Sequence, residues 1–283
     1  MTTVLVWNVD GKPLHDLVAN LVVEHAVDIL ILIECETGSR QKLLSRLRSK
    51  GPFQAVPSSE AFGVFTRFNR QFMQIVELPE RERRMNFWRL HLPLHYEVLL
   101  AVVHGWDKRS VTDSETRRML LHRVAQHVDR IERTMGHCRS LVAGDFNANP
   151  FESEMASVEG LHAIPMRSVS GRTDRSVEKR TFPFFYHPMW RCYGSAGAPP
   201  ATYFRYKYQA HELFWHMIDG VVVRPDLLDF FREEDLCILG KAGKVNLLKN
   251  GLPNREKASD HLPVLFRLQL KTEVVSDEPK PLA

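Results

Sequence analysis

Hydrophobic positions along this chain fall into short unbroken runs separated by amphipathic stretches. Thr3–Trp7 is β-branched and aromatic and stops at the polar Asn8, which predicts a buried strand. Leu14, Leu17, Val18, Leu21 and Val22 follow at spacings of three and four behind Pro13, a favoured early helical residue, and predict an amphipathic helix. Asp28 then opens Ile29–Ile33, an apolar run ending in Glu34; unbroken rather than alternating apolarity predicts a strand covered on both faces. Further strands are predicted at Phe62–Thr66, Phe72–Glu77, Phe87–Leu92, Val98–His104, Ser140–Ala143, Met217–Val223 and Leu262–Leu270. Thr112 and Glu115 have capping-box spacing ahead of a long helix whose buried stripe is Leu120, Val124, Val128 and Ile131. The stretch 166–211 lacks clear periodicity.

Strands alternating with helices predict an α/β protein. A chain of 283 residues has room for two small domains, but no linker or internal repeat divides it. The expectation is one domain over residues 1–270 and a polar, loose tail over 271–283. Gly and Pro together are about 11% of the chain, which excludes collagen-like and low-complexity classes. Cys35, Cys138, Cys192 and Cys237 form no CxxC pair, so neither a disulfide framework nor a thiolate zinc site is expected. No apolar run approaches membrane-spanning length and the first residues lack a basic region, so a soluble, cytoplasmic protein without membrane contact is expected. The net charge of +4 permits an anionic partner without demanding one.

Polar clusters stand where the apolar runs stop: Asn8 with Asp10, Glu34, Asp145 with Asn147, and Asp260 with His261. Singly, each also reads as a turn, a strand end or a loop cap. Together, carboxylates at the ends of apolar strands put acidic groups on a rigid rim, and with Asn carbonyls they make the hard oxygen environment that Mg2+ prefers. A His beside an Asp adds an acid/base group near neutral pH. This set suits hydrolysis of a phosphate ester.

The blocks Val6-Trp7-Asn8-Val9-Asp10-Gly11, Asp28 to Glu34, Ala143-Gly144-Asp145-Phe146-Asn147-Ala148, Met217-Ile218-Asp219 and Ser259-Asp260-His261-Leu262-Pro263-Val264 resemble, in order, the signature blocks of the endonuclease/exonuclease/phosphatase superfamily. They span nearly the whole chain. The resemblance implies a four-layered α/β sandwich, with two mixed sheets face to face, helices outside and the active site at one rim. It implies Glu34 as the main Mg2+ ligand, Asn8 and Asp10 beside it and Asp260 close by, with Mn2+ as a substitute. It also implies Asp145 and Asn147 orienting water or phosphate, and His261 on the scissile phosphate, oriented by Asp219. Either Asp145 or His261 is the general base. Glu36 competes with Glu34, which is preferred for its distance from Asp28. His104, ending its strand, matches the DNase I-like, sphingomyelinase-like and deadenylase-like branches; AP endonucleases usually carry Tyr there, so this residue argues against abasic-site repair. His104 would donate to a phosphate oxygen or the leaving group.

The unperiodic middle changes the charge picture. Residues 166–208 hold eight basic and two acidic residues, a local net of +6, and 181–208 hold ten aromatics. Basic side chains for phosphates among aromatic faces for bases are what nucleic acid requires, although a buried core with a solvated flank fits equally. Arg172, Arg175, Arg180 and Trp190 are therefore candidate substrate contacts. The function expected is a Mg2+-dependent phosphodiesterase on nucleic acid, a DNA endonuclease or exonuclease, with no obligate protein partner. The alternative is an enzyme of the same fold acting on a small-molecule or lipid phosphate ester.

Overall fold

A computed structural model describes residues 1–79, 82–91, 97–170, 172–196, 199–206 and 212–269. Leu92, Lys207, Leu270 and the tail expected at 271–283 lie outside the described residues. The strands used below are β1 (Thr2–Asn8), β2 (Ile29–Ile33), β3 (Gln54–Val56), β4 (Phe62–Thr66), β5 (Met73–Ile75), β6 (Met85–His91), β7 (Glu97–His104), β8 (Ser140–Asp145), β9 (Ala163–Ile164), β10 (Asp174–Val177), β11 (Arg180–Pro183), β12 (Phe185–Tyr186), β13 (Tyr203–Phe204), β14 (Trp215–His216), β15 (Asp219–Val223), β16 (Cys237–Ile238) and β17 (Val264–Leu268). The helices used below are α1 (His15–Glu24), α2 (Thr37–Arg48) and α3 (Ser114–Met135).

Two mixed sheets form the α/β sandwich. One has six strands in the order β16-β17-β1-β2-β4-β3, the other seven in the order β5-β6-β7-β8-β15-β12-β9. Every residue of β1, β2, β4 and β8 is buried, as unbroken apolarity demands when both faces of a strand are covered. A single apolar cluster joins Val6, Trp7 and Ile31 of the first sheet to Leu100, Ala143 and Val221 of the second. The opposite face of the second sheet packs Leu99, Val103 and Val142 against Leu120, Leu121, Val124 and Val128 of α3.

Besides shifted strand ends and α2, which the sequence did not show, two details differ from the sequence expectation. The N-cap of α3 is Asp113, whose carboxylate accepts from the N–H groups of Glu115 and Thr116, so Thr112 caps nothing. The run Phe72–Glu77 holds strand only over Met73–Ile75, because Arg70–Phe72 closes into a 3-10 turn under the Asn69 side chain.

Register positions the polar strand ends. β7 and β8 run parallel with His104 opposite Asp145, and β8 pairs antiparallel with β15 so that Asp145 faces Asp219. In the other sheet Asn8 of β1 lies opposite Ile33, one residue before Glu34. At the far end of β15, buried Arg224 pairs with Asp129 and Glu132 of α3 and donates to the Phe184 carbonyl, tying helix to sheet.

One buried side chain gives the fold a readable pH dependence. His187 is enclosed and neither ring nitrogen has a partner among the described residues. Burial pushes its pKa down to about 3. The unfolded chain binds a proton that the folded chain refuses between about 6.5 and this value, so stability falls as pH falls through that window. His187→Phe is expected to flatten the curve of urea stability against pH between about pH 4 and 6 by one proton, about 1.4 kcal/mol per pH unit. A slope identical to that of the wild type would mean His187 is not held neutral.

Candidate active site

The backbone itself is forced into place where the two sheets' strand ends meet. Asp10, Glu34 and Asn147 have positive φ values of 52°, 54° and 51°, a left-handed conformation that non-glycine residues adopt at a cost. Each lies just past a strand and turns its side chain sharply at the rim. Gly11 donates its N–H to the Glu34 carbonyl at 3.1 Å and Val9 to Ile33 at 3.0 Å, locking the two turns together. Gly105 donates to the Asp145 carbonyl at 2.7 Å, and a Cβ on it would stand 2.0 Å from the Phe146 carbonyl oxygen, so only glycine lets the chain pass there.

Asn8 sits buried between the two halves. Its amide NH2 donates to Glu34 Oε1 at 3.1 Å and to Asp145 Oδ2 at 3.0 Å, while its carbonyl accepts from the Asp10 N–H at 3.0 Å. That backbone donor fixes which end of the amide is oxygen. Asn147 donates its backbone N–H to Asp145 Oδ1 at 2.9 Å and its amide to Oδ2 at 3.1 Å. His104 Nε2 stands 3.4 Å from Glu34 Oε1 and 4.0 Å from Asp145 Oδ2. The hydrogen bond from His104 leads the effects that hold the Glu34 carboxyl down to about 2, with Asn8 adding to it against partial burial. Asp145 is pushed the other way, up to about 6, first by burial and then by the neighbouring Asp219 carboxylate.

His261 is the cation of the group. Its Nδ1 lies 2.8 Å from Asp219 Oδ2, its backbone N–H donates to Ser259 Oγ, and its carbonyl accepts from the Trp7 indole at 2.9 Å. Burial works against its charge, but Asp219, Asp145 and Asp260 outweigh it and raise its pKa to about 10. Asp260 Oδ1 is 3.9 Å from Nε2, too far for a hydrogen bond, so that nitrogen is free to face the cavity. Ligating atoms of Glu34, His104 and Asp145 lie within 4.8 Å of one another, as do those of Asp145, Asp219 and His261. Glu34, His104, Asp145 and His261 border a cavity of about 240 Å3 that is also lined by Asp10, Asp260, Tyr203 and Asn147.

Comparison with known proteins agrees with this geometry. Residues 5–261 match the Endonuclease/Exonuclease/phosphatase family. The chain belongs to that family. It is accordingly a hydrolase of phosphate esters, and enzymes of the family generally work with a divalent metal. No curated protein gives a significant match. Among solved structures, TDP2 from D. rerio complexed with single strand DNA product is similar, with a TM-score of 0.56 and 14% identity over 94% of this chain and 97% of that one. So are an AP endonuclease from Archaeoglobus fulgidus (TM-score 0.55, 14% identity, 95% and 100% covered) and the 3′ phosphatase NExo from Neisseria bound to product DNA hairpin (0.55, 17%, 95% and 99%). At these identities the likeness is one of fold. No helix among the described residues is long and apolar enough to cross a membrane.

The structure brings Asn8, Asp10, Glu34, His104, Asp145, Asn147, Asp219, Asp260 and His261 together around one rim. Asn8 turns its NH2 toward the carboxylates and bridges Glu34 and Asp145. Asp219 lies behind His261 and does not line the cavity. Glu36, the competitor of Glu34, does not line it either.

The candidate substrate contacts fall elsewhere. Arg175 and Arg180 lie on the exposed β10–β11 hairpin, with Arg172 just before it. Arg180 lines a different cavity with His162 and Arg224, at the end of β15 opposite Asp219. Trp190 packs edge-on against Phe151 with its ring centroid 6.3 Å away and does not line the cavity. The basic and aromatic run is thus split: the hairpin of Arg175 and Arg180 lies beyond the Val223 end of β15, whereas the chain after Tyr186 turns back along β15 and packs Met189 against Gly220. In its place the cavity is lined by Lys108 and Arg109 of the β7–α3 loop, Arg205 beyond β13, His216 of β14, and Arg84. Arg205 belongs to the basic run of 166–208; the others were missed in the sequence because isolated basic residues in loops make no pattern. Lys108 and Arg109 had one available signal: they follow the strand-end His104 within a turn's length.

Proposed function

We propose that the protein is a Mg2+-dependent phosphodiesterase acting on nucleic acid, a DNA endonuclease or exonuclease in which Mn2+ can replace Mg2+. The observation that carries the reading is the division of charge in one cavity. Buried Asp145 lines it with Glu34, Asp10 and Asp260, and the same cavity is also lined by Lys108, Arg109 and Arg205. Lys108 pairs with Glu152 and the more exposed Arg109 with Asp107. Carboxylates suit a hard cation; a cationic wall beside them suits phosphates flanking the reacting one, which a polymer has.

Glu34, fully ionised, and Asp10 would hold the metal with Asp260 beside it; a bound Mg2+ supplies neutralisation of the phosphoryl oxygens. Asp145 accepts the proton of the attacking water as the bond from that oxygen to phosphorus forms. Its Oδ1 takes one N–H, from Asn147, which leaves a lone pair for the water, while Oδ2 is taken by both amides. His261 already carries its proton, which supports Asp145 over His261 as the base. His261 donates through Nε2 to a phosphate oxygen, and Asp219 holds its ring and charge. His104 donates to the same phosphate or to the departing oxygen as its bond to phosphorus breaks.

The test is a panel of plasmid, single-stranded DNA, RNA, an inositol phosphate and a generic phosphodiester, with EDTA and then Mg2+ or Mn2+. The expected outcome is cleavage of DNA that EDTA abolishes and either metal restores. Release of inorganic phosphate from monoesters with every polymer left intact would replace this reading with that of a phosphatase. Undiminished cleavage in EDTA would remove the metal from it.

A further inference from the structure

Next to the catalytic cavity, and sharing Arg84 and His104 with it, lies a second cavity of about 630 Å3 that the reaction above leaves unused. Its walls include Trp106, Leu120 and Ala61 together with Arg83, Arg84 and Arg123. Arg84 and Trp106 form a stacked pair, with the guanidinium carbon 3.7 Å from the ring centroid. The pair is pinned: Arg84 Nη1 donates to the carbonyls of His104 and Gly105 at 3.2 and 3.0 Å, and the His104 N–H donates back to the Arg84 carbonyl at 2.9 Å. Arg84 therefore spends hydrogen bonds on the backbone that carries the catalytic histidine, and still presents a planar cation at the junction of the two cavities. Glu82, an acid of the same wall, is taken up by Arg123 at 2.7 Å.

We propose that this cavity receives the nucleobase of a nucleotide adjoining the scissile phosphate, stacked against the Arg84–Trp106 pair, which makes Trp106 a specificity residue. The inference rests on the nucleic-acid reading of the active site. His104 and Arg84 border both cavities, so a nucleotide whose phosphate sits beside His104 would reach the second cavity past Arg84. A sugar would ask for many hydrogen-bond acceptors, whereas an indole, a guanidinium plane, Leu120 and Ala61 offer flat and apolar contact, which a base accepts from either face.

Two measurements test it. In the first, deoxythymidine monophosphate and deoxyribose 5-phosphate are titrated in EDTA into the wild-type chain and Trp106→Phe, following tryptophan fluorescence. The nucleotide is expected to quench the wild type saturably, with the quenched component missing in Trp106→Phe and no response to the base-free sugar phosphate. Equal responses to both compounds, or none to either, overturn the proposal, and this holds even if the enzyme cuts no polymer. In the second, Trp106→Ala is assayed with Mg2+ on a short single-stranded DNA and on the same strand with base-free residues flanking the cleaved bond. Loss of a base-stacking contact predicts a rise in KM of about tenfold on the first strand, little change on the second, and recovery in Trp106→Phe. A fall in kcat of the same size on both strands would make Trp106 a purely structural residue and sink the proposal. Absence of cleavage of any strand by the wild type, with nucleotide quenching intact, would overturn the nuclease reading and leave the base site standing.

Discussion

Asp145→Asn is expected to lower kcat on a DNA phosphodiester by about 10²–10⁴-fold, the range over which a positioned acid or base acts, with KM changed much less. The shape of the side chain is kept, so the loss reports the proton and not the packing. Asn147 N–H can still donate to an oxygen at Oδ1. The Oδ2 position is different: it faces the NH2 groups of both Asn8 and Asn147, and a third NH2 there meets two donors with no acceptor. That mismatch costs about 1–3 kcal/mol. It is offset by the removal of a buried carboxylate that faces Asp219 across the β8–β15 pair, so the thermal midpoint should stay close to that of the wild type. Only the carboxylate form accepts a proton, and its pKa is pushed up to about 6, so the wild-type rate falls as pH drops through and below that value. The variant lacks this limb. Near wild-type cleavage with Mg2+ by folded Asp145→Asn would remove Asp145 from the base role and return it to His261.

The parts of this molecule that were legible in the sequence are those where burial alone decides the residue type. Ile29–Ile33 and Leu141–Ala143 are apolar throughout because sheet and helix cover both their faces, and the polar residues that follow, Glu34 and Asp145, mark the rim. α2 was illegible because it buries only Leu43 and Leu47, so its surface-facing sequence has no stripe to read. The paired two-residue strands of the middle are too short to show alternation. The candidate site divides in the same way. Asn8, Glu34, His104 and Asp145 each close a strand or follow one directly, and the sequence shows that. Arg84 precedes β6, and what matters about it, its stacking on Trp106 and its hold on His104, is created by the β6–β7 pairing. The +6 segment misled in all but Arg205, because charge adds along the chain, whereas a substrate meets charge added in space. The hairpin that carries Arg175 and Arg180 is near the cavity in neither sense.

His261→Ala is expected to cost about 10²–10³-fold in kcat, the scale for removing one donor from a site where charge develops. Its partner then suffers as well. Asp219 is buried, Oδ1 has no partner among the described residues, and Oδ2 loses its contact with Nδ1, so an uncompensated carboxylate remains next to Asp145. Breaking a buried pair from one side costs about 3–5 kcal/mol in folding, so part of any activity loss must be separated from unfolding. Asp219→Asn supplies that separation. It leaves the imidazole in place but removes the strongest influence holding its proton, so the histidine pKa drops from about 10. Activity should then decline with rising pH earlier than in the wild type, with the deficit larger at alkaline than at neutral pH. The metal-free wild type should lose stability as pH rises through the same range, because a histidine raised by folding stabilises fully only below its ordinary value. Asp219→Asn should flatten that loss. The combined His261→Ala, Asp219→Asn protein decides whether the two act as one unit: if Asp219 works only through His261, its kcat equals that of His261→Ala, and its stability recovers because no lone carboxylate is left. Multiplying losses would mean that Asp219 touches the reaction by a route that does not pass through the imidazole.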